Sequence, residues 1–347
     1  MATNKGLGLP QQKGTFEIKG VVMGVSKENF YVEKKTKTDK DFRSVNFGIT
    51  FDKNQTLFVG LTGMPQDNVY FSKRGDKGEK ATTEKVAWKD RYIFNKEGFE
   101  LIGVNCGLKK TDDGKANKIE HLTPFDATKY IGENLKDGMS VYVRGNIEFQ
   151  SYTNQGGETQ HSSKLVVTQI SLCKPVDFEE KDFDSTASFQ QPLVFIGGRK
   201  EGDSALLETL VVNYATVENV DFVIKDEKLA ATFKKNLKPY TSLKVWGNIE
   251  TVKNTEAVEE DSSDSDGWGE KNPLEKLTGQ YRKNFVITGA DKTTIEKVIY
   301  SESEIDKAIE TMKANDTAKK DFGEDDNWTG GDNKIEGKKE EDSDDAW

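Results

Sequence analysis

Residues 139–149, MSVYVRGNIEF, and 241–251, TSLKVWGNIET, decide how the chain is read. Val143, Gly145, Asn146, Ile147 and Glu148 recur as Val245, Gly247, Asn248, Ile249 and Glu250, and Val141 is matched by Leu243. Both copies alternate apolar and polar residues, the period of a half-buried strand. Each follows a helix-like stretch and precedes a loop and a second apolar run, KLVVTQIS at 164–171 and KNFVITGA at 283–290. The shared context reads as an internal duplication, which sets the organisation of the whole chain.

Upstream of the first copy, residues 15–25 (TFEIKGVVMGV) form a strand pattern. In 42–52 (FRSVNFGITFD), Val45, Phe47, Ile49 and Phe51 fall on one face and Ser44, Asn46, Gly48 and Thr50 on the other. A third strand is expected at 56–64. The long segment 65–120 is rich in Gly, Lys and aromatics, and is expected as an extended hairpin or loop with short strands at 91–94 and 100–104. Thr123, Pro124 and Asp126 have the chemistry of an N-cap, N1 and N3, and Gly138 that of a stop, so a helix is expected to end near Lys136. Strands at 139–152 and 164–173 complete the unit.

Three strands, a helix and two strands is the element order of an OB-fold, a five-stranded Greek-key barrel. A second pass follows: Val194, 206–213 and 220–224 are strand-like, 229–237 helical, 243–252 and 285–288 strands, with a short helix at 302–313. The fold expectation is mainly β. A flexible start (1–14) precedes OB-fold 1 (15–175, with its insertion at 65–120). A linker (176–189), OB-fold 2 (190–315, with an acidic insert at 254–270) and a disordered acidic tail (316–347) follow.

The chain has 347 residues, of which 34% are apolar. No apolar run reaches the roughly 20 residues needed to cross a bilayer, and the start lacks a signal-peptide pattern. Two cysteines, Cys106 and Cys173, make no disulfide framework, so a cytoplasmic setting is expected. The formal charge is −10, but it is unevenly spread. Residues 1–175 hold 27 bases against 21 acids, a net of +6, whereas 316–347 hold 5 against 12. Residues 254–270 carry seven acids and no base. A basic body with acidic appendages suits a polyanion partner.

Alternation turns Tyr142 and Arg144 outward in the first copy, and Lys244 and Trp246 in the second. A ring beside a cation suits single-stranded nucleic acid, where rings stack on bases and cations meet phosphate. Ordinary outward β residues are the plain alternative. Segment 65–96 interleaves the same chemistry in Tyr70, Phe71, Lys73, Arg74, Trp88, Arg91 and Tyr92, and the loop after the first strand repeats it in Tyr31, Lys34 and Lys35. Phe58 and Tyr152 join this set. Loops at a barrel's mouth are where OB-folds hold oligonucleotides.

Cys106, His121, His161 and Cys173 lack the short spacings of structural zinc sites, and no metal or other cofactor is expected. No phosphate-loop, zinc-protease or nucleophile-elbow motif occurs, so no enzymatic activity is expected. The chain ends EEDSDDAW, an aromatic end among acids, with Asp342, Asp344, Asp345 and Trp347 as candidate partner-binding residues.

The VYVRGNIEF strand, Lys164 to Leu172 after it and the DSDDAW end together resemble the single-stranded DNA-binding proteins encoded by bacteriophages. The resemblance implies OB-folds that coat and protect single-stranded DNA. It also implies a tail that recruits replication, recombination and repair proteins, and the host cytoplasm as location. The duplication and the Ala-Trp end depart from bacterial relatives, which have one barrel and end in Pro-Phe; a homo-oligomer is therefore left open. The rival expectations are an acidic mimic that blocks a host DNA-binding enzyme, an annealing or recombination factor, a metal-dependent nuclease and an RNA-binding OB protein.

Overall fold

The computed structural model describes residues 6–75, 79–153, 159–180, 185–253, 281–295 and 300–321. Strand β1 (Gly14–Met23) buries Phe16, Ile18 and Val22 by strict alternation. Strands β2 (Tyr31–Lys35) and β3 (Asp41–Asp52) follow, and β3 buries Val45, Phe47, Ile49 and Phe51 on one face, none more than 2% exposed. Burial of such side chains stabilises by about 1.5–3 kcal/mol each. Strand β4 (Gln55–Gly63) closes a hairpin with β3.

The insertion then folds as its own small sheet, β5 (Asn68–Lys73), β6 (Thr82–Ala87) and β7 (Phe99–Leu101), ordered β6-β5-β7. Strands β8 (Val104–Lys110) and β9 (Asn117–Leu122) return the chain to the barrel. Helix α1 (Pro124–Asn134) is capped by Thr123, whose hydroxyl accepts from the Asp126 N–H. Gly138, at φ +84°, makes the turn into β10 (Ser140–Thr153), which pairs with β11 (Thr159–Leu172).

The barrel closes through antiparallel pairs β1–β3, β3–β4, β10–β11 and β1–β10 and a parallel β4–β11 contact. This is the OB connectivity. Its third strand is split: β4 meets β11 at Gly60↔Val166, and β8 takes over at Asn105↔Gln169 after the insertion.

The second barrel repeats this plan with β12 (Thr186–Glu201), β13 (Ser204–Val212), β14 (Val217–Ile224), α2 (Glu227–Asn236), β15 (Thr241–Lys253) and β16 (Tyr281–Ala290). Two helices follow, α3 (Lys292–Ile295) and α4 (Glu302–Asp321). The repeated glycine has a steric cause. The strand pairings slip at Arg144/Gly145 and at Trp246/Gly247. A Cβ at Gly145 would stand 1.9 Å from the Val166 carbonyl oxygen, and one at Gly247 1.8 Å from that of Val286. Each copy needs glycine where the fourth strand crosses the fifth at a bulge.

The barrels are joined through their first strands. β1 pairs with β12 antiparallel, Phe16 opposite Phe189. Phe16 also faces Gly145, and Phe189 faces Gly247, so the two phenylalanines are equivalent residues meeting each other. The pairing is therefore that of an internal pseudo-twofold axis. One apolar core runs through both barrels. Farther along, Thr251 donates its hydroxyl to the Thr56 carbonyl (3.1 Å), and Lys283 donates to the Ser163 carbonyl.

Several expectations are corrected. The linker ends by Thr186, because strand β12 begins there. The start is not free from residue 6 on: Leu7 and Gln12 donate backbone N–H to Tyr214 and Val212, and Leu7 and Leu9 pack in a second apolar cluster. Residues 91–94 follow a short 3-10 turn (Trp88–Asp90) and are not a strand. The loop expected after the first strand contains a strand, β2, paired with β3. Helix α4 extends past residue 313 into the expected tail. The acidic insert 254–270 and residues 322–347 lie outside the described residues. No described helix is long and apolar enough to cross a membrane.

Candidate nucleic-acid interface

The outer face of β3 and β4 is the surface on which OB-folds hold oligonucleotides. Alternation sends Leu57, Val59 and Leu61 inward and leaves Phe58 outward, 58% exposed. Register places Phe58 opposite Gly48, and Gly48 opposite Met23, which is 37% exposed. A Cβ at Gly48 would stand 2.8 Å from Met23 Cγ, so the glycine keeps this row flat. In the next row Asn46 lies over Gly60, its Oδ1 2.4 Å from where a Cβ would be. The Lys27 ammonium stands 5.9 Å from the Phe58 ring centre and forms no ion pair among the described residues. An exposed ring on a flat, glycine-bearing sheet, with a cation above it, has the chemistry to stack on a planar group and meet an anion.

Thr62, farther along the same face of β4, leads to a cavity of about 330 Å³ between barrel and insertion. Phe42, Tyr70, Trp88 and Ile102 wall it, with Lys40 at the rim. Tyr70 is 47% and Ile102 57% exposed. The wall is anchored. Arg91 donates Nε to Asp126 Oδ2 (2.9 Å) and Nη2 to Oδ1 (3.2 Å), both side chains 11% exposed. Tyr92 donates its hydroxyl to the same carboxylate (2.7 Å). The guanidinium also lies 4.0 Å from the Trp88 ring centre, and Trp88 meets Phe125 edge-on. Asp126 is desolvated, which alone would raise its pKa; hydrogen bonds from Arg91, Tyr92 and Thr123 outweigh this and hold it below the usual carboxylate value.

The remaining expected residues are scattered. Phe71 is core, 6% exposed and packed on Phe94, so it presents no ring to a ligand. Arg91 is committed to Asp126 and is a fixing residue rather than a surface cation. Tyr31 is half-buried and donates to Glu33 (2.7 Å); burial, then that hydrogen bond, pushes its pKa up to about 12. Lys34 sits 5.8 Å from the Phe42 ring centre, and Lys35 pairs with Asp39 (2.9 Å). Lys73 ends the central strand β5 of the small sheet and Arg74 follows it, both exposed. Tyr152 lies on β10, its side chain outside the described residues.

Tyr142, Arg144, Lys244 and Trp246 do share a surface, but a different one: the outer face of the four strands β10-β1-β12-β15. Arg144 pairs there with Glu17 (3.4 Å), and Trp246, 39% exposed, lies against Gly289.

The second barrel's counterpart of the open face differs. From the equivalence of Phe16 and Phe189, Val21 corresponds to Val194. Val21 is opposite Thr50 and Val194 is opposite Leu210. Two residues along, Gly48 corresponds to Glu208 and Phe58 to Asp221, and Arg199 bridges both carboxylates. Met23, opposite Gly48, corresponds to Gly197, opposite Glu208; the bulge residue beside it, Ile196, packs with Val194, Leu210 and Val212 under Tyr300, Ile305 and Ala308 of the α4 region and under Leu7 and Leu9.

Asp342, Asp344, Asp345 and Trp347 lie outside the described residues. Among the described residues no cluster of three or more His, Cys, Asp or Glu is placed to hold a metal. Cys106 is buried, which pushes its thiol up to about 12. Sequence reasoning missed Met23, Lys27, Met64 and Ile102 as surface residues of this face, and the flat rows at Gly48 and Gly60. Isolated glycines within a strand pattern were the available signal.

A family model described as YorF matches residues 12–325. No curated protein matches the chain. Among solved structures, the wild-type single-stranded DNA binding protein from Thermus aquaticus is similar over 81% of this chain and 93% of its own, with 10% identity and a TM-score of 0.36. A deletion mutant of that protein gives 9% identity, 80% and 93% coverage and the same TM-score, 0.36. The mitochondrial single-stranded DNA binding protein Rim1 from S. cerevisiae is similar over 47% of this chain and 96% of its own, with 12% identity and a TM-score of 0.22.

Proposed function

The chain belongs to the YorF family, and we propose that it is a single-stranded DNA-binding protein whose first barrel carries the binding face. One observation supports this above the others: Phe58, 58% exposed on the outer face of β4, opposite Gly48 and beneath Lys27. The fold would be served equally well by a polar side chain at this outward position. The use of an apolar ring held out in water by a rigid sheet is to stack on a flat ligand. Stacking contributes about 1–3 kcal/mol per base irrespective of sequence, and the lysines add a salt-dependent phosphate term.

In this reading the protein coats and protects exposed strands during replication, recombination and repair, and acts by binding alone. The terminal acidic residues, with Trp347, recruit partner proteins. Fluorescence-anisotropy titration with labelled dT oligonucleotide tests the reading, with duplex DNA and single-stranded RNA as competitors and across a salt series. Tight, salt-sensitive binding to dT with little competition from duplex is expected. No binding to dT at low salt overturns it; stronger competition by RNA moves the substrate class to RNA; metal-dependent loss of the oligonucleotide makes the protein a nuclease.

A further inference from the structure

The cavity at the end of β4 is of a different kind from the open face that leads to it. It measures about 330 Å³, at the small end of the roughly 300–1,000 Å³ typical of ligand pockets. That suits one nucleoside-sized group and excludes a continuous stack of bases. Its lining is largely apolar and aromatic: the buried Phe42 and Val69 contribute to it, together with Tyr70, Trp88 and Ile102. The rim carries Lys40, Thr62 and Gln66. Tyr70 and Ile102 stay substantially exposed although they flank an apolar hollow. The site is also held in shape, because the Arg91–Asp126 ion pair fixes the turn that carries Trp88 to the N-terminus of α1.

Position adds the second argument. Phe58, Gly60 and Thr62 lie on one face of β4, and Thr62 lines the cavity. At about 3.3 Å per residue, the ring of Phe58 and the mouth are about 13 Å apart along the strand. A single-stranded chain lying on the open face therefore reaches the cavity within a few nucleotides. Lys40 at the rim is placed for the phosphate of a nucleotide that turns inward, and it forms no ion pair among the described residues.

Resting on the reading of barrel 1 as the binding face, we propose that this cavity takes one unstacked base of the bound strand, enclosed between Tyr70, Trp88 and Ile102. Neighbouring nucleotides lie on the open Met23–Phe58 face. Enclosing a base between aromatic and apolar walls is how proteins hold a nucleotide removed from its stack. The consequence is a register: one position of the bound oligonucleotide matters more than the rest.

Abasic scanning tests it with the full chain. A set of dT oligonucleotides of minimal binding length, each with one abasic position, is titrated by anisotropy. One position is expected to weaken binding about fivefold or more beyond its neighbours. Tyr70→Ala is expected to flatten that profile while retaining binding to intact dT. Thr62→Trp, which fills the mouth from an exposed position, is expected to do the same and guards against a Tyr70 variant that fails to fold. A flat profile in the unaltered protein with intact dT binding overturns the cavity proposal alone. Absence of binding to intact dT overturns the functional reading and this inference with it.

Discussion

The two barrels share a plan but carry opposite chemistry at equivalent positions. In the first, the row across the outer sheet is Met23, Gly48 and Phe58, apolar and open. In the second, the corresponding row ends in Glu208 and Asp221 under Arg199, and the patch beside it is covered by α4 and the N-terminal segment. Duplication kept what the fold needs, Gly145 and Gly247 at the bulges, and let the outer faces diverge. A residue that recurs between copies reports the backbone.

The largest expected contrast concerns the helix caps. Arg91→Ala leaves the part-buried Asp126 carboxylate without its cation, which costs about 1.5–3 kcal/mol, the worth of a charge-assisted hydrogen-bonded pair. The matching cap of α2, Asp226 accepting from the Leu229 N–H, is exposed, and Asp226→Ala costs about 1 kcal/mol. Chemical denaturation of both variants checks this; equal losses break the claim that the insertion is fastened to barrel 1 through Arg91.

The second contrast concerns binding. Phe58→Ala is expected to weaken dT affinity roughly 5- to 150-fold, the worth of one stacked base. Asp221→Ala, at the equivalent position, is expected to leave affinity unchanged or slightly raised. Anisotropy titration of the two decides whether the barrels divide the labour.

A pH series gives a third expectation. The folded Asp126 carboxyl titrates below its unfolded value, about 3.9, so its stabilisation is complete above that pH and is lost as pH falls through the lower folded value. Hydrogen exchange in 65–103 is expected to accelerate before that of β12–β16 as the protein is acidified below about pH 4. Simultaneous loosening of both barrels contradicts it.

The smallest effect concerns salt. Lys27→Ala is expected to lower the slope of log affinity against log salt by about 0.7, the value for one phosphate contact on a single strand. Lys200→Ala in barrel 2 is expected to leave the slope unchanged.

How much of this was legible follows from where each signal lives. The strands with period-2 burial, such as 42–52, and the Thr123 cap are local, and the sequence shows them plainly. Within the repeat at 139–149 and 241–251, the recurring Gly145 and Gly247 are enforced by a backbone clash. The β1–β12 junction was hidden: it pairs residues more than 160 positions apart, and Phe16 and Phe189 look like ordinary core strands. The split third strand was hidden for the same reason. At the site, Phe58 is among the rings the sequence singles out, and its outward position comes from the structure. Phe71 and Arg91 were misjudged because composition does not distinguish a ring on a surface from one in the core of a small sheet, nor a free cation from one facing Asp126.

Photocrosslinking tests the division of labour most directly. A dT oligonucleotide carrying 5-iododeoxyuridine is irradiated with the full-length protein, and crosslinked residues are mapped by mass spectrometry. Both barrels offer exposed rings: Phe58 and Tyr70 in the first, Tyr214 and Trp246 in the second. Crosslinks are expected at Phe58 and at Tyr70 or Trp88. Crosslinks confined to Tyr214 and Trp246 would contradict that division of labour.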